Sequence, residues 1–308
     1  MTIERKEHRM DIPAKNILKK ALTLALFLVV LFTGAQAQGG GAAGGARGGG
    51  GMKMPGVSMN FIRRLPDDDL PLPDALDKYT ATDLMRLVRR TDITSSFYDT
   101  DMTATITMVS VDPDKGTLTR KNTIYRRDRD DAFVMVTLEP KSRKGQGIMR
   151  VDNNMWRYDP KSRKFTHTTL KDSYEETTTR NSDFRRSQRS LDYQVGSFEQ
   201  GTLGKYPVWI ATLEAVSDEV PFPTIKMWIE RDRTIVLKVE EYSVSEKLLR
   251  TAYYTNYVQI GESFVPSTQI FQDGLVPEKR TQTTYTDIST KAVPDDVFSK
   301  SFLERSSL

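Results

Sequence analysis

From Asp101 onward the hydrophobic period of this chain is two. The stretch "DMTATITMVSV" sets Met102, Ala104, Ile106 and Met108 on one side and Thr103, Thr105 and Thr107 on the other. That period belongs to a half-buried β-strand, whose successive side chains point to opposite faces. "DPDKG" (112–116) turns the chain and "TRKNTIYRR" returns it. "RDRDD" turns it again before "AFVMVTLEP". After "IMRVDNNMWRYDP" and "KFTHTTL" comes a polar stretch, 171–194, without a clean period. Strands then resume from "YPVWIATLEAV" to "KRTQTTYTDI". The pattern predicts roughly ten or eleven antiparallel strands joined by short charged turns. So many strands with one apolar face each predict a strongly curved sheet. Its concave face must be filled by side chains, by the few non-strand segments, or by a ligand.

One helix is predicted ahead of the strands. Thr82 is its expected N-cap, Asp83 sits in the first turn, and Leu84, Met85, Leu87 and Val88 follow at helical spacing. Arg89 and Arg90 are expected to close it, where cations suit the negative end.

The N-terminus reads as an export signal. Charged residues run to Lys19-Lys20, the apolar run ALTLALFLVVLF covers 21–32, and Ala35-Gln36-Ala37 gives a small-residue cleavage site. Residues 1–37 are therefore expected to be a signal peptide and the protein to be periplasmic. The chain has no cysteine, which excludes disulfides, thiolate metal sites and a lipid anchor on this chain. Residues 38–58 are an expected flexible linker; nine of the 19 glycines lie in 38–52. Residues 59–308 are expected to form one domain.

Export also changes the charge. Removing the six basic and three acidic residues of 1–37 from 45 and 41 leaves 39 and 38, a net charge of +1. That balance argues against a nucleic-acid surface, which needs concentrated positive charge and stacking aromatics. Nucleophilic catalysis fails on inventory. The two histidines are His8, in the signal, and His167, in a Thr-rich strand. A histidine-based metal site is excluded with them. "DPDKG" begins like a calcium loop, but position twelve is Thr123 where a glutamate is needed. No enzyme activity, cofactor or metal is expected.

Trp156 and Tyr158 in "MWRYDPKSRKF" share one strand face, ahead of the Asp159-Pro160 turn. Trp156-x-Tyr158-x-Pro160 resembles the W-x-Y-x-P hairpin of the periplasmic lipoprotein carrier family, the LolA-like outer membrane lipoprotein-sorting proteins. "YDTDMTATITM", "EPKSRKGQGIMRVDNNMWRYDPKSRKF", "NSDF" (181–184) and "VPDDVFSKSFLER" match the family pattern in order, over about residues 80–305. Two departures stand out. Asn181 replaces the family's usual glycine, and Arg185-Arg186 replace the acidic residues that follow its S/T-D-F triplet.

The resemblance implies a mainly β (α+β) fold, an unclosed β-barrel with a few helices over its concave face. It implies an apolar cavity that takes acyl chains of lipoproteins or lipids in transit between inner and outer membranes. An inner-membrane transporter and an outer-membrane acceptor are the implied partners, and the carrier is expected to be a monomer. A sensor or interaction protein on the same scaffold is the alternative. Met108, Met135, Trp156 and Trp228 are the predicted cavity wall. Alternation marks each as buried, but it leaves open whether Trp156 and Tyr158 line the cavity or pack against a sheet face. Methionine is flexible enough to suit varied apolar ligands. Burying a methylene yields about 0.8 kcal/mol. A carrier must release its load, so its cavity should fit loosely and refill with its own chain when empty.

Overall fold

The computed structural model describes residues 68, 70–73 and 76–306. The predicted signal peptide and glycine linker lie outside them. Thirteen strands form one antiparallel sheet: β1 Met102–Asp112, β2 Gly116–Arg127, β3 Ala132–Glu139, β4 Gly147–Val151, β5 Asn154–Asp159, β6 Lys164–His167, β7 Tyr193–Leu203, β8 Tyr206–Ala215, β9 Thr224–Glu230, β10 Val236–Tyr242, β11 Leu248–Ile260, β12 Ser263–Asp273 and β13 Arg280–Ser289. The order is β6-β5-β4-β3-β2-β1-β13-β12-β11-β10-β9-β8-β7. Two meanders thus join through the β1–β13 pair, and the sheet is curved but not closed. Its free edges are β6 and β7, which follow one another in sequence. Residues 168–192 carry the chain from one edge to the other.

The alternation of β1 holds: Met102, Ala104, Ile106 and Met108 are buried and the intervening threonines are half-buried. Two corrections concern strand number. "IMRVDNNMWRYDP" is two strands, β4 and β5, because Asp152 and Asn153 take positive φ of 51° and 62° in a tight turn. Strand β7 falls where the polar stretch ends. It is an edge strand with mostly exposed side chains, so no apolar alternation marks it.

Helix α1 (Ala81–Thr94) starts earlier than expected. Thr80 caps it: the Asp83 N–H donates to Thr80 Oγ1 at 3.2 Å, and the Thr80 N–H donates to Asp83 Oδ2 at 3.0 Å. This reciprocal pair needs the acid three residues after the cap, which Thr80 has and Thr82 lacks. Arg89 and Arg90 do not end the helix. They turn to Asp68, with Arg89 Nε on its carboxylate at 2.9 Å and Arg90 Nε on its carbonyl at 2.7 Å. Leu87 and Val88 pack on Met227, Val239, Ala252 and Phe271 of β9–β12.

A second cluster on the same face joins Met102, Ile106, Met108, Phe133, Met135 and Met155. Ser110 and Thr281 bond across β1–β13 at 3.1 Å between these halves. The opposite face carries a third cluster, Val134, Val136, Met149, Tyr158 and Leu303, under helix α3 (Lys300–Arg305). Strand β3 is therefore buried on both faces over Ala132–Thr137.

Gly147 permits the approach of α3. A Cβ there would lie 2.5 Å from Leu303 Cδ2 and 2.9 Å from the Met135 carbonyl oxygen. Gly147→Val is expected to push α3 off the outer face and cost about 1–3 kcal/mol, the usual range for overpacking. Thermal unfolding and protease sensitivity of the 300–305 region check this. An unchanged melting temperature would show that the neighbours yield freely.

Candidate functional site

The polar segment 168–192 covers the concave face and is tied down by bonds to strands remote in sequence. Thr178 Oγ1 donates to the Phe271 carbonyl at 2.7 Å, and the Thr178 N–H donates to Thr281 Oγ1 at 3.1 Å. Asn181 is fully buried and donates to the Thr169 carbonyl at 2.8 Å. Tyr174 and Phe184 are the segment's apolar contribution. Their rings meet at 5.1 Å, and Phe184 stands 6.4 Å from Phe133. Both belong to the methionine-rich cluster of β1–β5. The concave face is thus filled by the chain itself, as one of the readings of the sequence required.

Two carboxylates pin the second half of the segment. Asp92 of α1 is wholly buried; it accepts from Ser187 Oγ and from the N–H groups of Arg189 and Ser190 at 3.0 and 2.8 Å. Asp183, in the short 3-10 turn Asn181–Phe184, accepts from Arg250 of β11 at 2.7 and 3.0 Å. Arg250 also donates to Glu241 of β10, through Nη2 at 2.9 Å and through Nε, and to the Thr178 carbonyl at 3.0 Å. Its guanidinium lies over Phe222 and Phe271, with centroids 5.1 and 4.7 Å away. One buried arginine therefore joins the covering segment to the sheet floor. Burial raises the pKa of Glu241, against the pull of Arg250.

Beneath this cover lies a cavity of about 160 Å³. Val236, Val239, Tyr257, Val265 and Phe271 give it an apolar wall; Arg126, Arg185, Arg186, Arg189 and Arg250 give it a basic one. A wider cleft of about 990 Å³ opens by Phe97, Tyr98 and Ile260. Thr94, near the end of α1, borders both.

The four predicted wall residues are not brought together. Met108 and Met135 are buried in the concave cluster, at 0% and 1% exposure, and neither lines the cavity. Trp156 faces the other way. Met155 takes the concave side of β5, so Trp156 packs on the outer face, edge-on to His167 at 5.4 Å and under Lys300 Nζ at 3.5 Å. Tyr158 shares that face, 4.7 Å from Phe165. The hairpin aromatics are the bed of α3. Trp228 is likewise turned outward by one residue of parity, since Met227 is the buried neighbour; Lys238 Nζ lies over its ring at 4.3 Å. The cavity residues that sequence reasoning missed are the arginines after Phe184. Their signal was present as Arg185-Arg186 in place of acidic residues. The cavity beneath the cover is amphipathic, a basic wall set against an apolar one.

The fold and its covered concave face define a LolA-like open half-barrel. The structure is similar to a LolA superfamily protein from Nitrosomonas europaea, with a TM-score of 0.62 and 21% identity over 73% of this chain and 99% of that one. It is similar to an outer membrane lipoprotein-sorting protein domain from Vibrio parahaemolyticus, with a TM-score of 0.67 and 15% identity over 73% of this chain and 100% of that one. A DUF1329 family protein from Desulfovibrio piger aligns with a TM-score of 0.64 and 16% identity over 71% and 97% of the two chains. No curated protein matches the sequence. A family model with the description "uncharacterized protein" matches residues 129–305, more than half of the chain. The chain belongs to the family of that model, and its fold is LolA-like.

Proposed function

We propose that this protein is a periplasmic carrier that binds acyl chains of lipoproteins or lipids on its concave face and moves them between the inner and outer membranes. The name of the Vibrio relative supports the class of cargo. The export signal supports the compartment, and a transporter and an acceptor in the two membranes are the partners the reading requires. One observation carries it: the concave apolar floor is closed by a polar segment held through a few buried polar contacts, above all Asp183–Arg250. The inner cavity, about 160 Å³, is smaller than the usual ligand pocket of about 300–1,000 Å³. Loading therefore requires the segment to lift. Phe184 and Tyr174 then leave the methionine-rich cluster, and Met108 and Met135 become the wall that the acyl chain meets. The cleft by Phe97 is the entrance.

Transfer between vesicles tests this. Donor vesicles carry a fluorescent diacylated peptide, and acceptor vesicles carry a quencher. The mature chain is expected to accelerate transfer in proportion to its concentration. Stoichiometric binding without accelerated transfer would favour a sensor on the same scaffold. Neither binding nor transfer would end the lipid reading.

A further inference from the structure

The covering segment carries a carboxylate onto the floor that it hides. Glu175, next to Tyr174, sets Oε2 2.8 Å from Arg120 Nη2 and 2.8 Å from Arg143 Nη1. Both arginines belong to the sheet. Arg120 lies in β2, and Arg143 in the short turn between β3 and β4. Neither has another carboxylate at ion-pair distance among the described residues. Two guanidiniums fixed to the sheet thus share one oxygen of the segment that lifts.

Arg120 is 1% exposed, and its Nε and Nη1 donate to nothing among the described residues. Its cross-strand neighbour on β1 is Met108. Across Met108 stands Thr283 of β13, whose buried hydroxyl also lacks a hydrogen-bond partner there. Glu175 itself takes a φ of 52°, a backbone conformation uncommon outside glycine, and the turn so formed delivers its carboxylate to the floor. Lifting the segment takes Glu175 away with Tyr174. Arg120 is then left without a counterion beside the methionine that an acyl chain meets. Removing one partner of a buried ion pair is strongly destabilising unless another charge replaces it.

We propose that Glu175 holds the place of the ligand's own anion: the loaded protein carries an amphiphile whose carboxylate or phosphate head sits on Arg120 and Arg143 while its hydrocarbon lies along Met108, Ile106 and Met102. Guanidiniums present forked donors suited to such oxyanions. From Met108 to Met102 the floor runs about 20 Å along β1. It continues to Phe97, which borders the wider cleft. Head site and hydrocarbon floor both stay with the sheet, so lifting the segment uncovers them together. A free inorganic anion would use the head site alone and gain nothing from the floor. This inference rests on the carrier reading and adds the ligand's charge to it.

The test titrates the mature chain, by calorimetry, with oleate, oleoyl lysophosphatidic acid, oleyl alcohol and inorganic phosphate. Both anionic amphiphiles are expected to bind at least about tenfold more tightly than the alcohol, about 1.4 kcal/mol in affinity. In Arg120→Gln the ratio of alcohol to oleate dissociation constants should fall toward one. Arg143→Gln gives the same readout should the first variant fail to fold. Opening of the segment weighs on both ligands alike, so the ratio reports the head site and not the cover. Glu175→Gln removes the competing carboxylate and strands Arg120 in the closed state, so both ligands should bind more tightly at an unchanged ratio. Equal affinity for alcohol and oleate in the parent, or a ratio that Arg120→Gln leaves unmoved, would overturn the inference and leave the carrier reading intact. Unchanged oleate affinity in Glu175→Gln would overturn it as well, since Glu175 would then hold no place that the ligand needs. Phosphate binding as tightly as oleate would overturn the amphiphile and leave only an anion site. No binding of any amphiphile would sink the carrier reading along with the inference.

Discussion

An Arg250→Met variant is expected to melt about 6–20 °C below the parent. Arg250 is buried, as is Glu241, and Asp183 is largely covered. Removing one partner of a buried ionic group strands the others, at a cost of about 3–5 kcal/mol. For a chain of this size each kcal/mol moves the midpoint by about 2–4 °C, which yields the range. The loss divides unequally. Asp183 keeps the Arg180 N–H at 2.7 Å, whereas Glu241 loses both of its hydrogen-bond donors. Glu241 should then protonate in the folded state. Its folded pKa, already raised by burial, rises further without Arg250 to oppose it. The folded state then binds a proton that the unfolded state does not, so stability falls as pH rises from the ordinary glutamate value toward the folded one. The variant should therefore regain stability on acidification toward that ordinary value, more steeply than the parent. The Glu241→Gln, Arg250→Met double variant should recover part of the loss at neutral pH. Thermal unfolding of the four proteins of the cycle, at several pH values, measures both effects. If Arg250→Met costs less than about 1 kcal/mol, the typical net value of a single hydrogen bond, the latch is not a stability determinant.

The strands were legible because the sheet is half-buried and writes its period into the residues. β1 is the clearest case. What alternation does not carry is the sign of each strand's parity. Trp156 and Met155 are both large and apolar, and so are Trp228 and Met227, so neither pair announces its concave member. The answer lies in α3, which covers the outer face near Trp156, and in Lys238, which covers Trp228. The first comes from distant sequence, and the second from the strand paired with β9. The same limit hid the site. Segment 168–192 reads as a polar loop because its order comes from single bonds to remote strands: Thr178 to β12 and β13, Asp183 to β11, Ser187 to α1. Such bonds leave no period. The edge strand β7 failed for another reason: a bulge between Val195 and Ser197 breaks the alternation of Tyr193, Val195 and Phe198, and most of its other side chains are exposed.

Phe184→Ala carries the second large effect, and it acts on affinity as well as stability. Truncating a buried phenylalanine costs about 3–5 kcal/mol. Phe184 is 1% exposed and packs against Phe133 and Tyr174. Melting should fall accordingly. The consequence for binding follows from where the ring belongs. Under the carrier reading the ligand binds only when the segment is lifted. Apparent affinity is then the intrinsic affinity reduced by the fraction of molecules already open. Every 1.4 kcal/mol taken from the closed state raises that fraction, and the affinity, about tenfold until the open state is fully populated. Phe184→Ala should therefore bind a fluorescent fatty acid at least about tenfold more tightly while being less stable. Tyr158→Ala is the control. Tyr158 is also buried but lies in the outer-face cluster under α3, away from Phe184, so its contacts are the same in both states. Its loss should lower stability without raising affinity. Equal affinity of Phe184→Ala and the parent would mean that Phe184 is ordinary core, and that acyl chains, if they bind, use the cleft by Phe97 without lifting the segment.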